Sequence, residues 1–241
     1  MKKLLLAVFP ILLLGPTAIQ AQMFSVGDSN DRPASTLSYY STLGVTWEIA
    51  DFEYTGDALS AENRADFQNS VIRFRFENPG INISAGFGGA LTGMEDRSYV
   101  NVNAQLYNDI ALIRSQRFVL GLPIQISTDL LSVAAQQQTG NSFQQSSLVF
   151  GTGASMRYRI NQRVQMGLRA TPNIGFSFSQ GALFGGRLFT TTSGARLYFS
   201  DILGSNTLVF GYDFDYRDYN IEGDQNDYQY LSHAFTLGIA F

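Results

Sequence analysis

The chain has 241 residues, with 16 Lys plus Arg against 20 Asp plus Glu, a formal net charge of −4, 23 Gly, 19 Phe, 12 Tyr and no Cys. An acidic chain without a basic tract excludes nucleic acid as a partner, because that affinity rests on cations facing phosphates. Without Cys, neither a disulfide scaffold nor a lipid-anchored N-terminus can form.

Met1-Lys2-Lys3 opens the chain, Leu4 to Leu14 is apolar apart from Pro10, and Thr17-Ala-Ile-Gln-Ala21 follows. A basic start, a short apolar core and a small residue predict a secretory signal cleaved after Ala21. The apolar run falls short of the ~20 residues a membrane span needs. Cleavage removes Lys2 and Lys3, the only lysines, and leaves 14 Arg against 20 acids. Residues 22–36 are polar and irregular, a short periplasmic lead-in, and residues 37–241 make up the single domain.

From there the pattern has period two, the signature of strands. Leu37, Tyr39, Leu43, Val45, Trp47 and Ile49 share a face opposite Thr42, Gly44, Thr46 and Glu48. A charged stretch, 51–67, reads as a loop. Around 68–78, Ile72, Phe74 and Phe76 oppose Arg73, Arg75 and Glu77, and Asn78-Pro79-Gly80 reads as a tight turn. A third strand alternates through Ile81, Ile83, Ala85 and Phe87, and a fourth through Val100, Val102, Ala104 and Leu106. Residues 108–116 read as a connection. The fifth strand carries Phe118, Leu120, Leu122, Ile124 and Ile126, with Pro123 predicting a bulge or a shifted boundary. Residues 130–145 read as a long Gln-rich loop.

The sixth strand sets Leu148, Phe150, Met156 and Tyr158 against Gly151, Gly153, Arg157 and Arg159, and turns at Asn161-Gln162. The seventh sets Val164, Met166, Leu168 and Ile174 against Arg169 and Asn173, with a distortion expected at Pro172. The eighth opposes Phe189, Leu197 and Phe199 to Thr190 and Arg196, and the ninth opposes Phe210, Tyr212 and Phe214 to Asp213 and Asp215. The tenth ends the chain, with Phe235, Leu237, Ile239 and Phe241 on one face and Thr236, Gly238 and Ala240 on the other.

That last strand resembles the C-terminal recognition strand of bacterial outer-membrane β-barrels. The whole resembles the OmpA-like and OmpX-like small barrels of Gram-negative bacteria. The resemblance implies an all-β, closed up-and-down antiparallel barrel of about ten strands, with eight as the alternative. It implies a place in the outer membrane among lipid and lipopolysaccharide. It also implies folding by the assembly machinery that reads Phe241, Ile239, Leu237 and Phe235. Only helices or closed sheets satisfy the backbone in lipid, and no window after residue 21 sustains a spanning helix. The competing arrangement is a secreted soluble barrel or sandwich with the apolar face buried. Gly and mid-strand Arg on the polar face, with aromatics near strand ends, favour apolar-out.

The expected lumen then carries Arg73, Arg75, Arg157, Arg159, Arg169, Arg196 and Arg217, with Glu48, Glu77, Asp213 and Asp215 as counter-charges. One reading is a hydrogen-bonded plug holding a small barrel shut. The other is a narrow channel for small solutes that favours anions. No catalytic constellation stands out, so a non-enzymatic role is expected, with outer loops serving envelope stability or binding an extracellular ligand. The single His, His233, is in phase with Phe235 and would face lipid ~20 Å above Phe241, near the edge of a ~25 Å apolar band. A lipid-hydrolysing site there would need a serine such as Ser193. Asp224 and Asp227 in an acidic loop lack a calcium ligand spacing, no Cys/His set suits zinc, and no cofactor is expected.

Overall fold

The computed structural model describes residues 37–56, 66–135, 142–179, 185–203, 206–220 and 227–241. The expected signal (1–21) and lead-in (22–36) lie outside those residues. The strands are β1 (Thr42–Tyr54), β2 (Phe67–Asn78), β3 (Ile81–Gly88), β4 (Arg97–Arg114), β5 (Phe118–Ala135), β6 (Ser142–Thr152), β7 (Ala154–Arg159), β8 (Val164–Ser179), β9 (Gly185–Leu203), β10 (Asn206–Asn220) and β11 (Tyr228–Ala240). Both β6 and β7 pair with β5 on one side and β8 on the other, so they are two halves of one stave interrupted at Gly153. With β1 paired to β11, the described residues close a barrel of ten antiparallel staves.

Its register fixes its shape. Following paired residues from Thr42 through Glu77, Asn82, Gln105, Ser127, Val149, Gly175, Leu188, Tyr219 and Tyr228 returns to β1 at Tyr54, twelve residues up the same strand. A sheet can close on such a stagger only if its strands tilt, by about 35–45°. At one end the connections are tight: Pro79-Gly80, with Gly80 at φ 103, and the turns at 115–117 and 160–163. At the other end they span 55–66, 89–96, 136–141, 180–184 and 221–227. Short turns mark the periplasmic end, which therefore holds Thr42 and Phe241.

Exposure identifies the lipid face. Val45, Trp47, Phe74, Phe235 and Leu237 are each about half exposed on the outside, while Glu48 and Arg73 inside are 2% and 5% exposed. A soluble barrel would show the reverse, and that alternative is overturned.

Near the extracellular end the polarity inverts. Above Ile49, β1 turns Asp51 and Glu53 outward and Phe52 and Tyr54 inward, where both aromatics are 1% exposed. Gln68, Gln144, Asp218 and Gln229 likewise face out, while Phe67, Phe143, Tyr219, Tyr228 and Tyr230 face in. The strands have left the hydrocarbon, so water now solvates the outer face and apolar side chains retreat to the interior. This inversion corrects two expected loops. Residues 51–54 belong to β1, and 130–135 and 142–145 belong to β5 and β6, with 136–141 outside the described residues. At the other end the expected connection 108–116 is strand as far as Arg114, and its turn is only 115–117. The same lengthening carries β9 to Leu203 and β10 to Asn220.

Pro123 and Pro172 share one cause. By the registers on either side, Pro123 stands opposite Gly153 and Pro172 opposite Thr152. A proline lacks the N–H a ladder needs. The break between β6 and β7 meets both prolines at once. The β5 and β8 strands run unbroken past them, so the irregularity sits on the neighbour.

Candidate functional site: the lumen and its two closures

The lumen is filled in layers. At the extracellular end Phe52 packs against Phe67, Phe143 and Tyr228 with ring centroids 5.3–5.7 Å apart. Tyr54 meets Phe143 at 5.6 Å, Tyr99 meets Phe67 at 5.4 Å, and Tyr219 meets Tyr228 at 5.2 Å. Leu131, Val133, Leu188 and Met94 fill between them, all nearly fully buried. Stacked and edge-on aromatics at these spacings make a close-packed cap.

Below the cap runs a continuous polar chain. Tyr230 donates its hydroxyl to Glu48 Oε1 at 2.5 Å and lies 3.2 Å from the Tyr99 hydroxyl. Arg73 holds Glu48 Oε2 through Nε (2.8 Å) and Nη2 (2.7 Å), and donates to Asn101 Oδ1 at 3.0 Å. Asn101 donates to Asp129 at 2.6 Å, and Arg217 joins Asp129 (2.9 Å) to Asp215 (2.7 Å). Nearly all of this is buried, where a charge survives only when paired and hydrogen-bonded. Arg fits the task because its fork reaches two acceptors at once.

A second layer is a closed ring. Arg75 contacts Glu77 (3.0 Å) and Asp213 (2.7 Å), and Arg196 contacts the same two carboxylates at 2.7 and 2.9 Å. Two cations and two anions cancel, so the ring carries no net charge. The missing side chain of Gly194 makes room for it: a Cβ there would stand 2.7 Å from Asp213 Oδ1. On the opposite wall amides link Gln105 to Gln125 (2.6 Å), Gln125 to Asn173 (2.5 Å) and Asn173 to Thr190 (3.0 Å).

At the periplasmic end residues 37–41 cross the mouth as a strap. Leu37 is buried, and Tyr40 stacks on Tyr198 at 4.9 Å. The Ser38 carbonyl accepts from Gln165 Nε2 at 3.1 Å. Tyr39 accepts a hydrogen bond from Arg157, whose guanidinium carbon lies 3.6 Å from the Tyr39 ring centre.

The eleven expected lumen residues therefore fall into three groups. Arg73, Glu48, Arg217 and Asp215 belong to the upper network, and Arg75, Glu77, Arg196 and Asp213 form the ring. Arg157, Arg159 and Arg169 lie apart, toward the periplasm; Arg169 is 3.5 Å from Asp109 and rests over Tyr107 at 4.0 Å. Asp129, Asn101, Tyr230, the aromatic cap and the strap went unread in the sequence. Phe52 stood in a stretch that read as a loop, where only the inverted alternation could have revealed it; Asp129 keeps the inward phase of Gln125 and Ser127 just beyond the last residue read as strand. Outside the barrel, His233 is exposed, with Nδ1 2.8 Å from the Tyr212 hydroxyl and Phe214 and Phe235 nearby. Ser193 pairs with Phe214 and Ala170, and no contact joins it to His233. Among the described residues no group of His, Cys, Asp and Glu could hold a metal. Asp224 lies outside them. Phe241 exchanges backbone hydrogen bonds with Ser41 at 3.0 and 3.2 Å, extending the β1–β11 seam to the last residue, with Ile239, Leu237 and Phe235 outward above it.

No protein-family model matches the sequence, and no curated protein matches it. Among solved structures it is similar to the outer membrane protease OmpT from Escherichia coli, 10% identical over 86% of this chain and 98% of that one, with a TM-score of 0.48. It is similar to the translocator domain of the autotransporter NalP from Neisseria meningitidis, 10% identical over 84% and 88% of the chains, TM-score 0.38. A third is Ail, the attachment invasion locus protein of Yersinia pestis, 13% identical over 85% and 100%, TM-score 0.26. No residue role transfers at such scores. The closed barrel with its apolar outer belt is that of an integral protein of the Gram-negative outer membrane.

Proposed function

We propose that this outer-membrane barrel is non-enzymatic, with a lumen held shut from within, and that its outer loops serve envelope stability or engage a partner outside the cell. One observation carries the reading: Arg73, Arg75, Arg196 and Arg217 each contact carboxylates at 3.0 Å or less. A pore that attracts anions needs cations free to exchange a ligand. The four arginines that cross this lumen are each held by one or two carboxylates, and the aromatic cap lies in series above them. The lone lipid-facing His233 and the separation of Ser193 from it support the absence of catalysis.

The runner-up is a narrow anion-favouring channel, for which the less saturated arginines near the periplasmic mouth speak. Conductance of the folded protein in a planar bilayer under a salt gradient separates the two. Stable insertion without current steps is expected. Discrete anion-selective steps would overturn the plugged reading. We also assign the outward Phe235, Leu237, Ile239 and Phe241 to recognition by the assembly machinery, with lipid and lipopolysaccharide as the barrel's surroundings.

A further inference from the structure

We infer that the periplasmic mouth holds an anion-binding vestibule, built on Arg157 and Arg169, that takes a phosphate group. Arg73, Arg75, Arg196 and Arg217 each hold carboxylates at 3.0 Å or less, but these two are held differently. Each lies on a tyrosine ring: Arg157 over Tyr39 at 3.6 Å and Arg169 over Tyr107 at 4.0 Å. A guanidinium stacked on an aromatic face is fixed in orientation while its N–H edge stays available, the arrangement that suits a forked grip on an oxyanion.

That edge has spare donors. Arg157 spends one nitrogen on the Tyr39 hydroxyl, while its Nη1 is buried without a hydrogen-bond partner among the described residues. Burying a cationic N–H with nothing to donate to is costly, and a ligand oxygen would relieve it. Arg169 has one long contact, 3.5 Å to Asp109, and its side chain is 28% exposed. Register places the two together: Ser155 pairs with Arg169 and Arg157 with Gly167, so the arginines are diagonal neighbours on the inward face of β7 and β8. Such neighbours are about 7–8 Å apart at their backbones, within reach of long side chains converging on one group.

The surrounding field has the same sign. Arg114 pairs with Val119, which pairs with Arg157, so all three share the inward face. Arg117 accepts the Arg159 N–H at 2.8 Å through its carbonyl, and Arg114 at the end of β4 and Arg117 and Arg163 on the adjoining turns are exposed. Asp109 lies 3.5 Å from Arg169 with its Oδ1 unpartnered among the described residues, and it offsets one charge. The excess favours a multiply charged anion over a monocarboxylate. The ligand class is therefore phosphate, free in the periplasm or carried by an inner-leaflet phospholipid. Arg169 borders the ring, since it pairs with Gly194 and Gly194 with Asp213, and Arg157 lies two residues nearer the mouth, so the inference does not depend on whether the lumen conducts.

The test is calorimetric titration of inorganic phosphate into the mature protein folded in zwitterionic detergent at low ionic strength. Saturable binding is expected, weakened at least about tenfold by Arg157→Gln and by Arg169→Gln, and unchanged by Arg187→Gln at the outer rim. Circular dichroism checks that each variant folds; should Arg169→Gln fail to fold, Tyr39→Leu removes the ring beneath Arg157 and should weaken binding as well. Absence of saturable heat, or equal affinity in all variants, overturns the inference. Repeating the titration in nanodiscs of phosphatidylcholine and of phosphatidylglycerol assigns the source. Binding lost only in phosphatidylglycerol means a lipid headgroup already fills the vestibule, and equal binding in both means a soluble phosphate is the ligand.

Discussion

Arg75 and Asp213 meet at 2.7 Å although 138 positions separate them in the chain. Arg75 is on β2 and Asp213 on β10, so their contact passes over β1 and β11, the seam where the barrel closes. Arg196 and Glu77 repeat the span at 2.7 Å across 119 positions. Within the seam itself, Thr46 and Thr236 hydroxyls lie 2.8 Å apart.

Breaking that brace should loosen closure. Arg75→Ala with Arg196→Ala leaves Glu77 and Asp213 facing each other without cations. The expected loss is about 3–5 kcal/mol in urea unfolding of the folded barrel, and it remains silent in bilayers because the upper network still blocks the lumen. A current in this variant would show that the ring alone is the barrier.

The upper pair should be costlier to break than to replace. Arg73→Ala or Glu48→Ala strands a buried charge, for a loss of about 3–5 kcal/mol each. The double variant Glu48→Ala with Arg73→Ala should lose clearly less than the sum, as a double-mutant cycle measures. Simple additivity would mean the two act independently.

Gly153 tolerates no side chain. A Cβ there would run into the Ala170 carbonyl and approach Thr171 Cα to 2.9 Å, both backbone atoms that cannot swing aside. Gly153→Ala should cost about 3 kcal/mol or more, while Gly194→Ala, whose one close approach is to the Asp213 side chain at 2.7 Å, should cost about 1–3 kcal/mol. Refolding yield and urea midpoint compare them.

Removing a ring from the cap opens a cavity without opening a path. Phe143→Ala should cost about 3–5 kcal/mol, with no current, since the charged layers below are untouched. By contrast, His233→Ala should cost about 1 kcal/mol, the value of one hydrogen bond to Tyr212, and leave insertion unchanged.

Most of the barrel was legible because lipid makes alternation strict. On β11, Phe235, Leu237 and Ile239 face out and Thr236, Gly238 and Ala240 face in, and that rhythm alone gives the strand. It failed where its physical cause ended. Above the hydrocarbon, Leu131, Val133 and Phe52 turn inward, so a reader expecting apolar-out sees disorder in 51–54 and 130–135. The lumen charges were legible as a set, because Arg73, Arg75, Asp213 and Asp215 share one phase. Their partners were not, since pairing Arg75 with Asp213 depends on how ten staves close. The strap at 37–41 read as the start of the first strand, with Leu37 and Tyr39 in phase with Leu43, and only the buried Leu37 and the Tyr40–Tyr198 stack reveal that it leaves the sheet.

The inversion of polarity near the outer rim also has a practical side. The long connections do not spring from the lipid surface; they are rooted on a rigid collar whose interior is packed like that of a water-soluble protein. A segment exchanged between Tyr54 and Phe67, or between Asn220 and Tyr228, would begin and end on that collar and leave the hydrocarbon belt undisturbed. The barrel is thereby suited to carry foreign sequences, and to diversify its own, on a foundation that need not be rebuilt each time.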